Sequence, residues 1–254
     1  STDALAQAAY PSSDTTTTST ITQSQTGSID FQTLTTTITG FGQGFKTSTV
    51  DNVSKFTVKL ENVDGLATGT LTGYIYSDDG TGKPNASLAT FSNTNVATIP
   101  STAGGTDIDF TGSFTPTAGT QYHIVGLWTT SVSQIRIYIT YPSAYADGSN
   151  SLWNVGGNGA WTGYTYDDYF KVYQDIPHLQ DYSEATIKQQ GSYSLKCFAL
   201  ATSSLNDTFI RTLTSTAVMD LREQDAVSFG LYSSRTGANI RIGLQESNGA
   251  ILLT

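Results

Sequence analysis

Aromatic side chains are the residues of this chain best suited to binding chemistry. Trp153 and Trp161 lie in a stretch rich in glycine and asparagine, residues 148–163, and Tyr145, Tyr164 and Tyr166 flank it. Flat rings offer apolar area to the C–H faces of sugars at a low cost in conformational entropy, and loops of this composition are commonly exposed. The pattern predicts a carbohydrate-binding site at these aromatic residues. The alternative is that the two tryptophans cover the end of a β-sandwich core.

Paired aspartates are the second group of candidates. Asp78 and Asp79 precede the run Gly-Thr-Gly and could hold calcium through carboxylate and backbone oxygens. Asp-Asp-Gly is also ordinary hairpin chemistry, and the spacing matches no EF-hand loop. Asp167 or Asp168 could likewise supply a carboxylate to a metal or to a sugar hydroxyl. Calcium is therefore the one cofactor that the sequence leaves open.

The sequence predicts no enzyme activity. A glycosidase needs two carboxylates at a defined separation across a cleft, and glutamate is scarce here and absent from the aromatic stretch. The sequence has no Gly-x-Ser-x-Gly elbow, phosphate loop or dinucleotide fingerprint. His123 and His178 lie far apart, and the single cysteine, Cys197, cannot form an intrachain disulfide or a thiol metal cluster.

The charge of the chain excludes two classes of partner. Its 12 Lys and Arg against 21 Asp and Glu give a net charge of −9, and no basic residue precedes Lys46. Binding to nucleic acid needs a positive surface that displaces counterions, and anionic membrane surfaces attract basic segments. No run of about 18 apolar residues is present, which predicts that no segment spans a membrane.

The same composition indicates where the protein acts. Charged residues make up only 13% of the chain, and threonine, serine, glycine and asparagine take their place. Such uncharged polar residues suit solvent-facing strand positions and tight turns. The composition is typical of extracellular β-proteins, so we expect the protein to be extracellular.

Alternation of apolar and polar residues predicts strands from residue 29 onward. It is clearest in 56–60, 71–76 and 135–140. Turns rich in Gly, Asp and Pro separate the predicted strands, which cover 29–38, 41–46, 53–61, 69–77, 87–92, 107–114, 121–129, 133–141 and 166–173. Short strands with almost no helical periodicity predict an all-β fold, an antiparallel two-sheet sandwich. Its core should contain Phe56, Val58, Leu60, Leu71, Ile75, Phe110, Ile124, Leu127, Phe170 and Val172.

The chain is predicted to hold an arm and two sandwich modules in tandem. Residues 1–27 form a threonine-rich N-terminal arm, 28–175 the first module and 176–254 the second, which is incomplete. A linker is expected at 174–182, because Pro177 cannot continue a central ladder. The extended, β-branched arm could add to a sheet edge of another copy through backbone hydrogen bonds.

The order of motifs in the first module resembles a known type of β-sandwich. The motifs are 53–60 (VSKFTVKL), 69–76 (GTLTGYIY), 79–84 (DGTGKP), 114–122 (FTPTAGTQY) and the closing segment 161–173. Over about 40–175 they resemble jelly-roll modules of secreted bacterial proteins and phage virion proteins. Residues 190–196 and 233–240 are similar to parts of a galactose-binding-like sandwich, over about 180–254. The resemblance implies non-catalytic surface or sugar-binding modules.

These observations favour one function and leave two alternatives open. The favoured function is a non-catalytic extracellular or virion surface protein in assembly and adhesion, self-associating through its N-terminal arm or C-terminal module. The first alternative is a carbohydrate-binding module of a secreted protein, with surface glycans as partners. The second is an accessory fragment of a larger glycan-active hydrolase.

Overall fold

A computed structural model describes residues 13–14, 17–27, 30–129, 133–157, 159–177, 179–184, 186, 194–199, 209–210, 244–245 and 251–253. The strands are β1 (Ser13–Asp14), β2 (Thr17–Gln25), β3 (Asp30–Leu34), β4 (Ile38–Lys46), β5 (Asn52–Asn62), β6 (Thr70–Asp78), β7 (Pro84–Asn95), β8 (Thr106–Phe114), β9 (Gln121–Thr129), β10 (Ile135–Thr140), β11 (Asn150–Asn154), β12 (Ala160–Gly163), β13 (Asp167–Asp168), β14 (Phe170–Pro177), β15 (Leu179–Glu184), β16 (Ser194–Ala199), β17 (Phe209–Ile210), β18 (Leu244–Gln245) and β19 (Ile251–Leu253). Two short 3-10 helices, Val96–Thr98 and Val155–Gly157, complete the elements, and no α-helix occurs in the described residues.

Two antiparallel sheets form the sandwich, which confirms the predicted all-β class. In the first sheet, one edge of β5 pairs with β8, and β14 and β10 share its other edge. β2 extends this sheet beyond β14, β3 extends it beyond β10, and β13 pairs with the end of β10. The second sheet has the strand order β12-β11-β4-β9-β6-β7.

The core lies between the two sheets, because alternation turns the apolar side of each strand toward the facing sheet. Phe56 of β5 stacks on Phe110 of β8 with ring centroids 5.0 Å apart. The predicted core is confirmed at Phe56, Val58, Leu60, Leu71, Ile75, Phe110, Ile124, Phe170 and Val172, which are fully buried. Leu127 was predicted in the core as well, but it is only partly buried. β9 places it opposite Gly40 and Thr72, on the outer side of the second sheet.

Nine residues of the predicted N-terminal arm form a strand of the sandwich. Thr17–Gln25 is β2 and pairs with β14 of the same chain, from Thr17 opposite Pro177 to Gln25 opposite Phe170. β-Branched threonine and isoleucine favour the extended backbone, and the edge of β14 supplies the backbone partners. Part of the predicted arm is thus a strand of the first sheet.

The expected linker also differs from the structure. Residues 174–177 belong to β14, and β5 pairs with β14 as far as Asp175, opposite Asn52. Pro177 follows the last pair with β5 and faces β2 alone, a strand-end position that a residue without an N–H tolerates.

The chain divides into two compact units. One contains the sandwich and comprises 12–181 and 197–210, and within it β1 pairs with β17. The other comprises 1–11, 182–196 and 211–254, and within it β18 pairs with β19. The predicted second module lies mostly outside the described residues, as do the side chains of its predicted core, Leu195, Phe209, Phe229, Leu231, Ile240 and Ile242.

Candidate functional site

Four aromatic rings form a continuous cluster on the outer side of the second sheet. β11 and β12 place Trp153 directly opposite Trp161, with ring centroids 5.2 Å apart. Trp161 meets Tyr76 at 6.4 Å, and Tyr76 meets Tyr74 at 5.9 Å. Alternation explains the placement, because Leu152, Leu71 and Ile75 of the same strands point into the core. We call this cluster the aromatic face; each ring is partly exposed.

Glycines of β4 form the floor beneath the aromatic face. Phe41 points into the core, so Gly40 and Gly42 face outward. A Cβ at position 42 would lie 2.7 Å from Cγ of Pro84 and 3.4 Å from a ring atom of Trp161. The absence of a side chain therefore lets Pro84 and Trp161 close over the sheet. Val125, opposite Gly42 in β9, is fully buried on this side.

The β6–β7 turn borders the aromatic face and contains the predicted calcium ligands. Asp78 accepts hydrogen bonds from Nε2 of His123 at 2.7 Å and from the backbone of Gly80 at 2.7 Å. Asp79 accepts from the backbone N–H and hydroxyl of Thr81 at 2.7 and 2.8 Å. These bonds are those of a hairpin turn. Calcium binding by Asp78 and Asp79 stays a prediction.

His123 is a buried neutral group next to this turn. Burial lowers its pKa below the ordinary value, although Asp78 acts in the opposite direction. Nδ1 of His123 has no hydrogen-bond partner within the described part of the chain, and the same holds for the hydroxyl of Ser151 on the same side of the sheet. Partial burial, together with Tyr74, raises the pKa of Tyr76. Burial therefore favours the neutral forms of both His123 and Tyr76.

The three predicted tyrosines lie elsewhere, at one end of the space between the sheets. Tyr145 packs against Phe170 with centroids 5.1 Å apart and donates its hydroxyl hydrogen bond to Gln23 at 2.7 Å. Burial raises the pKa of Tyr145 to about 12. Tyr164 and Tyr166 stack at 5.1 Å, and Tyr166 is 8% exposed. The five predicted sugar-binding residues thus divide between two places, and Trp153 and Trp161 stand apart from the core.

The two aspartates before β14 lie in a polar cluster between the sheets. Asp167 and Asp168 are 0% exposed, as are Gln43 of β4 and Asn150 of β11. Asp167 accepts hydrogen bonds from Gln43, from Ser143 and from two backbone N–H groups. Asp168 accepts a hydrogen bond from Nδ2 of Asn150 at 2.5 Å. We call Gln43, Asn150, Tyr166, Asp167 and Asp168 the inter-sheet polar cluster.

Sequence reasoning missed Tyr74 and Tyr76 as members of the aromatic face. The signal was present, since residues 71–76 alternate and the two tyrosines fall on the side opposite Leu71 and Ile75. What the sequence did not show is that β12 brings Trp161 within reach of β6.

Comparisons with protein families, with curated proteins and with solved structures found no match for this chain. The resemblances to jelly-roll and galactose-binding-like modules therefore stay predictions. Across the described residues, no three His, Cys, Asp or Glu side chains come together in an arrangement that could hold a metal ion. The described helices are also all too short to cross a membrane.

Proposed function

We propose that this protein is a non-catalytic adhesion protein of a cell or virion surface that binds glycans at its aromatic face. The observation that supports the proposal is the cluster of Trp153, Trp161, Tyr76 and Tyr74 outside the core. Large rings that are not needed to hold the two sheets together, yet remain partly exposed, are candidates for binding.

The geometry of the aromatic face suits a sugar ring. Tryptophan and tyrosine combine an apolar face with a polar atom, which matches the C–H faces and hydroxyls of a pyranose. Backbone pairing of Trp153 with Trp161 and the glycine floor fix the rings before a ligand arrives. A preformed surface binds with a smaller loss of conformational entropy than a mobile loop does.

The electrostatics of the aromatic face favour neutral glycans. Asp78, in the turn that borders this face, is bonded to His123 and to the backbone of the turn. The cation–π contacts of the described residues involve Tyr169, Tyr173 and Phe31, and none involves the four rings of this face. A lysine does lie at this face, since the side chain of Lys83 from the β6–β7 turn is beside Gly163 of β12. Sulfated or sialylated chains are usually recognised by clusters of cationic side chains, so we expect uncharged hexose-containing glycans.

A glycan array with the full chain tests the proposal. We expect binding to at least one neutral glycan, and a loss of affinity of tenfold or more in Trp161→Ala. The matched control is Tyr173→Ala, because Tyr173 is a partly exposed ring on the outer side of the first sheet. Circular dichroism and thermal unfolding verify that both variants fold. Absence of binding to every glycan, or equal affinity in Trp161→Ala, contradicts the proposal.

A second candidate function, assembly with copies of itself, is favoured by β2. Among the strands that the structure describes, β2 is the last in the order of the first sheet, and its nine residues carry no charge. Natural edge strands are commonly protected by lysine or proline. Ile21 is 46% exposed on β2, so Ile21→Lys would place a charge on the edge. We expect wild type to form oligomers in light scattering and Ile21→Lys to be monomeric; a monomeric wild type contradicts assembly.

A further inference from the structure

The inter-sheet polar cluster contains two neighbouring aspartates with unequal surroundings. Both oxygens of Asp167 accept hydrogen bonds: Oδ1 accepts from Gln43, and Oδ2 accepts from Ser143 and from the backbone of Ala144 and Tyr145. Asp168 is equally inaccessible to solvent, and its Oδ1 accepts the hydrogen bond from Asn150. Its Oδ2 has no hydrogen-bond partner within the described part of the chain. A buried carboxylate oxygen without a partner is costly.

Two further buried oxygens of this cluster also lack a hydrogen-bond partner among the residues that the structure describes. They are Oδ1 of Asn150 and the hydroxyl of Tyr166, in residues that are 0% and 8% exposed. Backbone bonds hold these residues together, because the N–H of Asn150 donates to the carbonyl of Tyr166 at 2.9 Å. The 2.5 Å bond between Nδ2 of Asn150 and Asp168 keeps the amide beside the carboxylate. The carboxylate and amide oxygens thus lie side by side, and Tyr166 is joined to Asn150 through its backbone.

We propose that the inter-sheet polar cluster binds a calcium ion, with Asp168, the amide oxygen of Asn150 and the hydroxyl of Tyr166 as its side-chain ligands. Oxygen donors of this kind select hard cations, and calcium accepts irregular sets that mix carboxylate and neutral oxygens. A divalent ion also balances the charge. Asp167 and Asp168 are two adjacent buried carboxyl groups, and none of their described hydrogen bonds comes from Lys, Arg or His.

The ion would hold the two sheets together at this end of the sandwich. Asn150 belongs to β11 of the second sheet, whereas Asp168 belongs to β13 of the first. Gln43 of β4 reinforces the link, because its Oε1 accepts the backbone N–H of Asp168 at 2.8 Å. A cation bound between the sheets would also give a partner to Oδ2 of Asp168, which has none within the described part of the chain. Calcium binding should therefore stabilise the native state.

Thermal unfolding of the full chain tests this proposal. Protein treated with EGTA should gain several degrees in Tm as calcium chloride is added to roughly 10 mM, and calorimetry should detect one binding event. Asp168→Asn should unfold in EGTA at a Tm equal to or above that of wild type, because the buried charge is removed. Calcium should leave the Tm of this variant unchanged.

Two further variants separate ligand loss from misfolding. Asp109→Asn removes an aspartate on the outer side of the first sheet and should keep the full calcium response. Tyr166→Phe keeps the buried ring and should weaken calcium affinity about tenfold. The proposal is overturned if calcium does not change the Tm of wild type, or if magnesium chloride produces the same shift. An unreduced calcium response in Asp168→Asn or in Tyr166→Phe overturns it too. The glycan proposal is independent, since it rests on the aromatic face.

Discussion

The outer side of the first sheet is built from lysine, aspartate and tyrosine, whereas that of the second sheet carries Trp153 and Trp161. On the first sheet, Lys55 pairs with Asp109 at 3.0 Å and Lys171 pairs with Asp107 at 2.7 Å. We call this set the ionic face. Its tyrosines are covered by lysine, because the ammonium of Lys55 lies 4.0 Å from the ring centre of Tyr173. On the aromatic face, in contrast, the rings contact one another.

This difference shows why aromatic content alone does not identify a binding surface. Tyrosines occur on both faces, but those of the ionic face already have charged partners within the chain. Lys59 lies 4.3 Å from the ring centre of Tyr169, and the hydroxyl of Tyr169 donates to Asp107 at 3.2 Å. The rings of the aromatic face have other rings and small residues as neighbours. A ligand can therefore bind there without displacing an ion pair.

The largest stability effect on either face is expected for Gly42→Val. A valine at this position would enter the space of Pro84 and Trp161, since even a Cβ lies 2.7 Å from the proline ring. Overpacking of this kind costs about 1–3 kcal/mol, and the displaced Trp161 should also weaken glycan binding. Urea unfolding and glycan titration measure the two effects.

The control for Gly42→Val is Thr72→Val on the same side of the second sheet. Thr72 is partly exposed in β6, so its replacement should change the free energy of unfolding by no more than about 0.5 kcal/mol. If Gly42→Val lowers the free energy of unfolding no more than this control does, the rings of the aromatic face are not closely packed. The contrast with the ionic face would then be wrong.

The strands of both faces could be predicted where one side is buried. Phe56, Val58 and Leu60 alternate with polar residues, and β5 covers 52–62 against a prediction of 53–61. β11 and β12 could not be found in this way. Their residues are Asn-Ser-Leu-Trp-Asn and Ala-Trp-Thr-Gly. These sequences have a weak strand preference, so pairing of β11 with β4 decides their conformation.

The residue types of the candidate site could be predicted from the sequence, but the way these residues group in space could not. Trp153 and Trp161 were named from their place in a glycine-rich stretch, but Tyr145, Tyr164 and Tyr166 proved to lie between the sheets. Short-range spacing does not tell which of several neighbouring tyrosines points inward. Tyr76 joins Trp161 across 85 residues of sequence through the order of the second sheet (161 − 76 = 85). That order depends on long-range pairing.

A smaller effect on the free energy of unfolding is expected when the pH is lowered, through His123 beside the aromatic face. The pKa of His123 is lowered by burial, so the unfolded chain binds a proton first as pH falls below about 6.5. The free energy of unfolding should therefore decrease as pH falls from about 6.5 through the lower folded pKa, by at most about 1.4 kcal/mol per pH unit. Urea unfolding between pH 7 and 5 measures this slope.

His123→Gln should flatten that slope, since glutamine does not titrate and can still donate to Asp78. The chain has two histidines, so His178→Gln is the matched control and should retain the slope. An identical slope in wild type and His123→Gln would mean that the buried histidine does not govern acid stability.

The smallest effect is expected on the ionic face, from Asp109→Asn. The side chains of Lys55 and Asp109 are 27% and 49% exposed, and such exposed pairs contribute about 0–1 kcal/mol. Asparagine can still accept the hydrogen bond that Thr57 donates at 2.5 Å, so only the charge is lost.

Desolvation acts to raise the pKa of Asp109, but bonds from Thr57 and Lys55 lower it overall. The difference between wild type and Asp109→Asn should thus be present above about pH 3.9 and disappear as pH falls through the lowered pKa. Molar salt should reduce it as well, because counterions screen exposed pairs. Guanidinium is itself a salt, so urea unfolding at low and high ionic strength is the suitable measurement. A loss above about 2 kcal/mol that persists in salt would show that the ionic face holds the sandwich together as strongly as the packed aromatic face does.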